Sequence, residues 1–282
     1  MKGFKNIGNT CYLNSGLQML IQNEDLCNMI LKHADKSEQL AVIAKMINDY
    51  YSKETEPVLT PVAIKQLVQN EQDIFYGFGQ QDSTEFIICL LNIIDDEIKK
   101  QNNSLNELFG ININTRTKCK FRECLKISNK IDSNLFLMLD LNHTDMSLDD
   151  SYRHIKEGET LTDDDKYYCD NCKEKRIASK RTNIESWPSH LFVWLKRFKQ
   201  NGRYYSKLDQ HLDIPLVWRH NNVLKGAVLH YGGLHGGHYV YMGIVEDKWY
   251  LFNDGNVSEI PTELQVKKLL GDAYWLYYKK ES

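Results

Sequence analysis

Through about residue 105 the apolar residues of this chain recur at helical spacing, and from Phe109 onward they fall into short alternating or continuous runs. Leu13, Leu17, Leu20 and Ile21 share one face, as do Leu40, Ile43, Ala44 and Ile47, and then Phe86, Leu90, Ile93 and Ile94, which predicts a helical first third. Thr60 ahead of Pro61 reads as a cap followed by the first residue of a further helix. The later runs, at 135–141, 191–198, 227–231, 238–245 and 249–252, have strand length and strand composition, so a largely antiparallel sheet is expected. Helices first and strands afterwards put the chain in the α+β class.

No Pro/Gly/Ser linker, repeat or low-complexity tract interrupts this order, and Asp163-Asp164-Asp165 reads as solvated loop. With 282 residues, 42% of them hydrophobic, one domain with subregions over 1–282 is expected, working as a monomer. The 35 basic and 38 acidic residues are interspersed, which argues against the dense basic face of a nucleic-acid binder. No apolar run approaches the roughly 18 residues of a membrane span, and the N-terminus lacks a signal-peptide core, so a soluble, unsecreted protein is expected. Seven cysteines, an odd number, then read as thiols and metal ligands in a reducing compartment rather than as disulfides.

One of those thiols is placed for chemistry. Cys11 follows Thr10, a candidate N-cap, and opens a helical pattern, so it falls in the first turn, where unpaired amides favour a thiolate. Far downstream His238 lies between Gly236-Gly237 and the alternating Tyr239-Val240-Tyr241-Met242, at the mouth of a strand. An imidazole there can take the thiol proton and later protonate a departing amine. The bland alternatives are a small buried hydrophobe at a helix start and a surface or core histidine.

Four other cysteines have metal-ligand spacing. Cys169 and Cys172 form a C-x-x-C, and Cys119 and Cys124 form an upstream pair with four residues between them. Four thiolates suit tetrahedral zinc, and a closed site of this kind leaves no position for water, so a structural Zn2+ and no catalytic cofactor are expected. Cys27 and Cys89 sit on apolar helical faces and read as core.

The segment Asn6-Ile7-Gly8-Asn9-Thr10-Cys11-Tyr12-Leu13-Asn14-Ser15 resembles the Cys box of the ubiquitin-specific proteases, papain-like cysteine peptidases that cut after the C-terminal glycine of ubiquitin. Further pieces occur in the family's order: Gly79-Gln80-Gln81-Asp82-Ser83-Thr84-Glu85-Phe86, then Trp194-Leu195-Lys196-Arg197-Phe198, then His230-Tyr231 with Gly-Gly-His-Tyr and Phe252-Asn253-Asp254, and last Ala273 to Tyr278. The resemblance spans Gly3 to about Lys279.

This resemblance implies a papain-like fold with a helical thumb (about 1–105), zinc-ribbon-like fingers (mainly 106–190) and an antiparallel-sheet palm (191–282). It implies that Cys11 is the nucleophile, His238 the general base and acid, and Asn253 the residue orienting the imidazole, with Asp254 as a second electrostatic contributor. Asn-Asp-Gly at 253–255 is also good turn chemistry, and both readings can hold together. The Asn6 side chain and the Cys11 amide become the oxyanion donors. Gln81 would hydrogen-bond the ubiquitin tail, and Asp82 and Glu85 would meet its basic residues, although carboxylates also favour a helix's first turn on their own account. Tyr231, Gly237 and Tyr239 would line the tail channel, with the loop at 232–237 as its gate. The family spaces its first cysteine pair by two residues, and Phe121 stands where its first cysteine would fall, so Cys119 must reach by a longer knuckle or the site is degenerate.

A thiol isopeptidase acting on ubiquitinated proteins or polyubiquitin chains, in the cytosol or nucleus of a eukaryotic or host cell, is therefore expected. With the Cys box so near the first residue, no adaptor module is expected ahead of it. The alternatives are a silent ubiquitin-binding module, a protease for another ubiquitin-like modifier, and a zinc hydrolase using His235 and His238, which lacks a helical H-E-x-x-H frame.

Overall fold

The computed structural model of the protein describes residues 1–201, 204–233 and 236–281. The first part is helical, with strand β1 (Gly3–Phe4), helices α1 (Cys11–Ile21), α2 (Glu24–His33) and α3 (Glu38–Tyr51), strand β2 (Val58–Leu59), and helices α4 (Val62–Glu71), α5 (Ser83–Lys99) and α6 (Asn106–Phe109). Side-chain caps set three of these starts by satisfying otherwise unpaired first-turn amides: Asn23 accepts from the Leu26 amide at 3.0 Å, Ser37 from Leu40 at 3.2 Å and Asp82 from Thr84 at 2.6 Å. Two expected starts differ. Pro61 itself occupies the cap position, one residue ahead of α4. Thr10 precedes α1 without capping it, because its hydroxyl oxygen accepts from the Ile7 amide at 3.0 Å and is spent on the preceding turn.

The middle of the chain supplies β3 (Ile111–Cys119), β4 (Ile127–Asn134), β5 (Leu137–Asp140), α7 (Leu148–Glu157), β6 (Glu159–Leu161), β7 (Tyr167–Cys169), β8 (Glu174–Arg176) and β9 (Ala178–Ser186). β4-β3-β9-β6 form a narrow antiparallel sheet, and β7 pairs with β8 as a separate hairpin. The last part adds β10 (His190–Lys196), β11 (Phe198–Asn201), β12 (Tyr204–Lys207), β13 (Val217–Trp218), β14 (Asn222–Gly233), β15 (Gly236–Val245), β16 (Lys248–Asn253), β17 (Asn256–Glu259), helix α8 (Glu263–Leu270) and β18 (Ala273–Lys280). The large sheet runs β17-β16-β15-β14-β18-β10-β5, with β13 on β14. It is antiparallel except where β5 joins β10 in parallel, so a strand from the middle of the chain closes this sheet.

Both faces of the large sheet are covered, which explains why β10 and β18 read as near-continuous apolar runs rather than alternating ones. On one face Phe192, Tyr241, Trp275 and Tyr277 pack with Tyr12, Phe86 and Leu90 of the helices; on the other Leu191, Val240, Leu276 and Tyr278 pack beneath Leu148, Tyr152, Val266 and Leu270. Each large side chain so buried contributes about 1.5–3 kcal/mol. Arg197 is the exception in kind: its guanidinium is buried and donates to the carbonyls of Ala273, Gly271, Leu208 and Gln210, tying the end of β10 to the approach to β18. The α+β expectation is met, Cys27 and Cys89 are core, and residues 163–165 form an exposed turn. Among the described residues no helix is long and apolar enough to cross a membrane.

Candidate active site

Helix α1 packs against β15, and this brings the N-terminal cysteine to the C-terminal histidine strand. Cys11, the first residue of α1, is 5% exposed and lines a cleft of about 310 Å³ together with Gln80, Gln81, Asp82, His230, Gly237 and Tyr239. The expectation of a ready thiolate is not met. Burial pushes the Cys11 thiol above its ordinary value, the Asp254 carboxylate pushes the same way, and backbone hydrogen bonds from Tyr239, Tyr12 and Cys11 itself only partly offset them. A thiol held this way forms a thiolate only where a base takes its proton.

His238 lies three residues into β15, and Asn253 ends β16 next to it in the sheet. His238 Nε2 donates to Asn253 Oδ1 at 2.7 Å. An amide oxygen only accepts, so this bond assigns the ring proton to Nε2 and leaves Nδ1 as the basic nitrogen.

Asp254 and Gly255 form the two-residue turn between β16 and β17, with Asp254 at φ 51° as such Asp-Gly turns require. The Asp254 carboxylate accepts from Asn6 Nδ2 at 3.0 Å and from Asn14 Nδ2 at 2.7 Å, so it serves the loop before Cys11 and helix α1. Asn6 is oriented from its other end too, since its Oδ1 accepts from the amides of Gly8 and Thr10, each at 3.1 Å. Gly8 takes φ +112° against the Phe78 ring, a position closed to a side chain.

Gln81 is half-buried in the cleft wall. Asp82 is less available than expected: one oxygen caps α5 and the other accepts from the Tyr274 hydroxyl at 2.8 Å. Burial raises its pKa, and the bonds from Thr84 and Tyr274 pull it back. Glu85 is exposed in the first turn of α5. Tyr231 and Gly237 both lie on the β14–β15 hairpin, Tyr231 opposite His238, and Tyr239 is buried in the cleft. A Cβ on Gly237 would stand 2.3 Å from His230 Nε2, so only glycine fits. Within the expected gate, residue 234 and His235 lie outside the described residues.

Three contributors were not expected from the sequence. Asn14 holds Asp254 from α1; Gln80 spans the cleft; and His230 is 3% exposed beside Tyr239, with burial and then the Lys207 charge holding it down to about 4. All three lie inside the quoted motifs, but their partners are set by the packing of distant segments.

The cysteine pairs meet at the far end of the narrow sheet. Cys119 ends β3, Cys169 ends β7, and the four sulfurs of Cys119, Cys124, Cys169 and Cys172 lie within 4.8 Å of one another. Zinc–sulfur bonds near 2.3 Å in a tetrahedron require sulfurs about 3.8 Å apart. Cys124 and Cys169 stand at 3.6 Å, so the four-residue knuckle does reach and the donor set fits zinc. Phe121, where the family has a cysteine, instead supports the Arg176 guanidinium at 3.9 Å from its ring.

Residues 2–278 match the profile of the family described as ubiquitin carboxyl-terminal hydrolase. The chain is 27% identical to ubiquitin carboxyl-terminal hydrolase 12 of Salmo salar over 333 residues, covering 98% of this chain and 89% of that protein. Among solved structures it is similar to a chain of the SAGA DUB module Ubp8/Sgf11/Sus1/Sgf73 bound to monoubiquitin, with TM-score 0.81, 24% identity, and coverage of 100% of this chain and 69% of that one. The same module bound to ubiquitin aldehyde matches at TM-score 0.82 and 23% identity, covering 100% and 70%.

Proposed function

The chain belongs to the ubiquitin carboxyl-terminal hydrolase family, and on that footing we propose that it is a thiol-dependent deubiquitinase that hydrolyses the peptide or isopeptide bond after the C-terminal glycine of ubiquitin. The observation that carries the residue assignment is the bond from His238 Nε2 to Asn253 Oδ1, on the strand that packs against the helix opened by Cys11.

Because burial keeps the Cys11 sulfur protonated, the reaction begins with proton transfer to His238 Nδ1 as the sulfur attacks the carbonyl. Asn253 holds the ring in the tautomer that leaves Nδ1 free and supports the imidazolium without adding a charge. The tetrahedral oxyanion is met by the Cys11 amide and by the second N–H of Asn6, whose first is committed to Asp254. Asp254 is thus a positioning residue for Asn6. The imidazolium then protonates the departing amine, and a water activated by the same nitrogen releases ubiquitin from the thioester. Gln81 and Tyr239 line the tail channel, and Glu85, exposed in the first turn of α5, would meet the basic residues of the tail.

Cys119, Cys124, Cys169 and Cys172 would hold a structural zinc ion, which when bound staples the two knuckles together. In this reading the helical part is the thumb, the narrow sheet with its knuckles the fingers, and the large sheet the palm. All seven cysteines stand unpaired, in keeping with work in the reducing cytosol or nucleus.

The test is intact-mass labelling with ubiquitin carrying a C-terminal electrophile. The expected result is an adduct on the unaltered chain, none with Cys11→Ala and a strongly slowed one with His238→Ala. A folded protein that binds ubiquitin yet gives no adduct would overturn the assignment of Cys11.

A further inference from the structure

The beginning of β15 is a strand with one open side. Gly237 is the register partner of Gly232 on β14, yet its N–H donates to Gln80 Oε1 at 3.3 Å and its C=O accepts from Gln80 Nε2 at 3.4 Å. In an antiparallel ladder, a residue that turns both main-chain groups away from one neighbour offers them to the other side. On that side β16 pairs with β15 only from Tyr241 onward, so among the described residues Gly237 faces the cleft and no strand. Tyr239, two residues on and therefore facing the same way, lines the same cleft as Cys11. Gly237 to Tyr239 is thus a short free strand edge leading to the nucleophile.

Gln80 occupies that edge as a peptide would. Its carboxamide presents one C=O and one N–H to the paired groups of a single residue, the pattern by which an added strand docks on a sheet edge. Both bonds lie at the long end of the hydrogen-bond range, and Gln80 is exposed, in the segment just ahead of α5. Such a contact bridges the cleft wall to the strand edge and gives way readily.

We propose that Gln80 is a removable stand-in for the substrate backbone: the extended ubiquitin tail pairs with Gly237 as an added strand, and Gln80 must leave before it can. The proposal rests on the deubiquitinase reading. A site open only part of the time binds with its intrinsic affinity reduced by the open fraction, and two weak neutral bonds correspond to a reduction of about fivefold.

The experiment measures the dissociation constant of ubiquitin for the full chain carrying Cys11→Ala, with and without Gln80→Ala or Gln80→Glu, and KM and kcat of the same Gln80 variants with Cys11 intact. Glu cannot donate to the Gly237 carbonyl, so both variants should lower Kd and KM about fivefold, and ubiquitin lacking its last two residues should bind all forms alike. Unchanged or weaker binding would overturn the stand-in and make Gln80 a tail ligand. A fall in kcat at constant KM would also overturn it, making Gln80 a support for the His238 strand. If the folded Cys11→Ala protein binds no ubiquitin at all, the deubiquitinase reading fails and the stand-in with it.

Discussion

Replacing Asp254 with Asn should slow turnover while making the Cys11 thiol more acidic. Asn tolerates the left-handed backbone of Asp254, at φ 51°, so the turn survives. The carboxylate accepts from two carboxamides, Asn6 at 3.0 Å and Asn14 at 2.7 Å, and an amide in its place sets an NH2 group against one of them. A hydrogen bond to a charged group is worth about 1.5–3 kcal/mol, or one to two decades in rate if all of it is expressed at the oxyanion. Asn6 keeps its two Oδ1 bonds to the Gly8 and Thr10 amides, so the loss is partial. We expect kcat to fall roughly 10- to 100-fold in Asp254→Asn and about 100- to 1000-fold in Asn6→Ala, where the donor is gone altogether. Because both act through one group, the double variant should lie within a few-fold of Asn6→Ala, a coupling on the order of 1–2 kcal/mol. The thiol moves oppositely, since the Asp254 charge is one of the influences that raise its pKa. The assays are turnover of a fluorogenic ubiquitin C-terminal amide and the pH profile of alkylation by iodoacetamide, which should shift to lower pH. Multiplicative effects of the two substitutions, or an undiminished kcat in Asp254→Asn, would refute the reasoning.

Arg197→Met should abolish cooperative thermal unfolding, because it leaves four carbonyls without their donor at about 1–3 kcal/mol each, and a melting temperature within a few degrees of the parent would contradict this. His230 is held at about 4 when folded against an ordinary value of 6.5, so the unfolded chain takes up the proton first. Stability from this site is complete above about pH 6.5 and is lost as pH falls toward 4, by up to about 3 kcal/mol, so thermal melts of His230→Gln should be flatter over that window than those of the parent. Purified protein should carry about one zinc per chain by elemental analysis, and Cys169→Ser should lose it and lower the melting temperature; a metal-free, equally stable parent would mean that the cysteines are remnants.

How much of this was legible beforehand follows from how local each cause is. Helical periodicity located α1, α3 and α5, and the short apolar runs located β10, β14, β15 and β16, because one buried face imposes its spacing on contiguous residues. The parallel partner of β10 is β5, more than fifty residues upstream, and no local pattern announces that pairing. Zinc-ligand spacing marked the four cysteines, but whether a four-residue knuckle could bring Cys124 to Cys169 depended on where β3 and β7 end.

At the site, residue chemistry by itself determined the cast: a cysteine opening a helix and a histidine at the mouth of a strand, with an amide and a carboxylate adjacent in sequence at 253 and 254. Which of that pair hydrogen-bonds the imidazole was decided by tertiary structure. Asn253 is the last residue of β16, beside the histidine strand, whereas Asp254, one step into the turn, meets Asn6 and Asn14. The same holds for the thiol. A helix start argues locally for a thiolate, and the packing of α1 under β15 overrides it, because removing water from around a charge outweighs a few backbone dipoles. Sequence determines which groups can react; burial and register, which arise only when distant segments meet, determine their protonation and their partners.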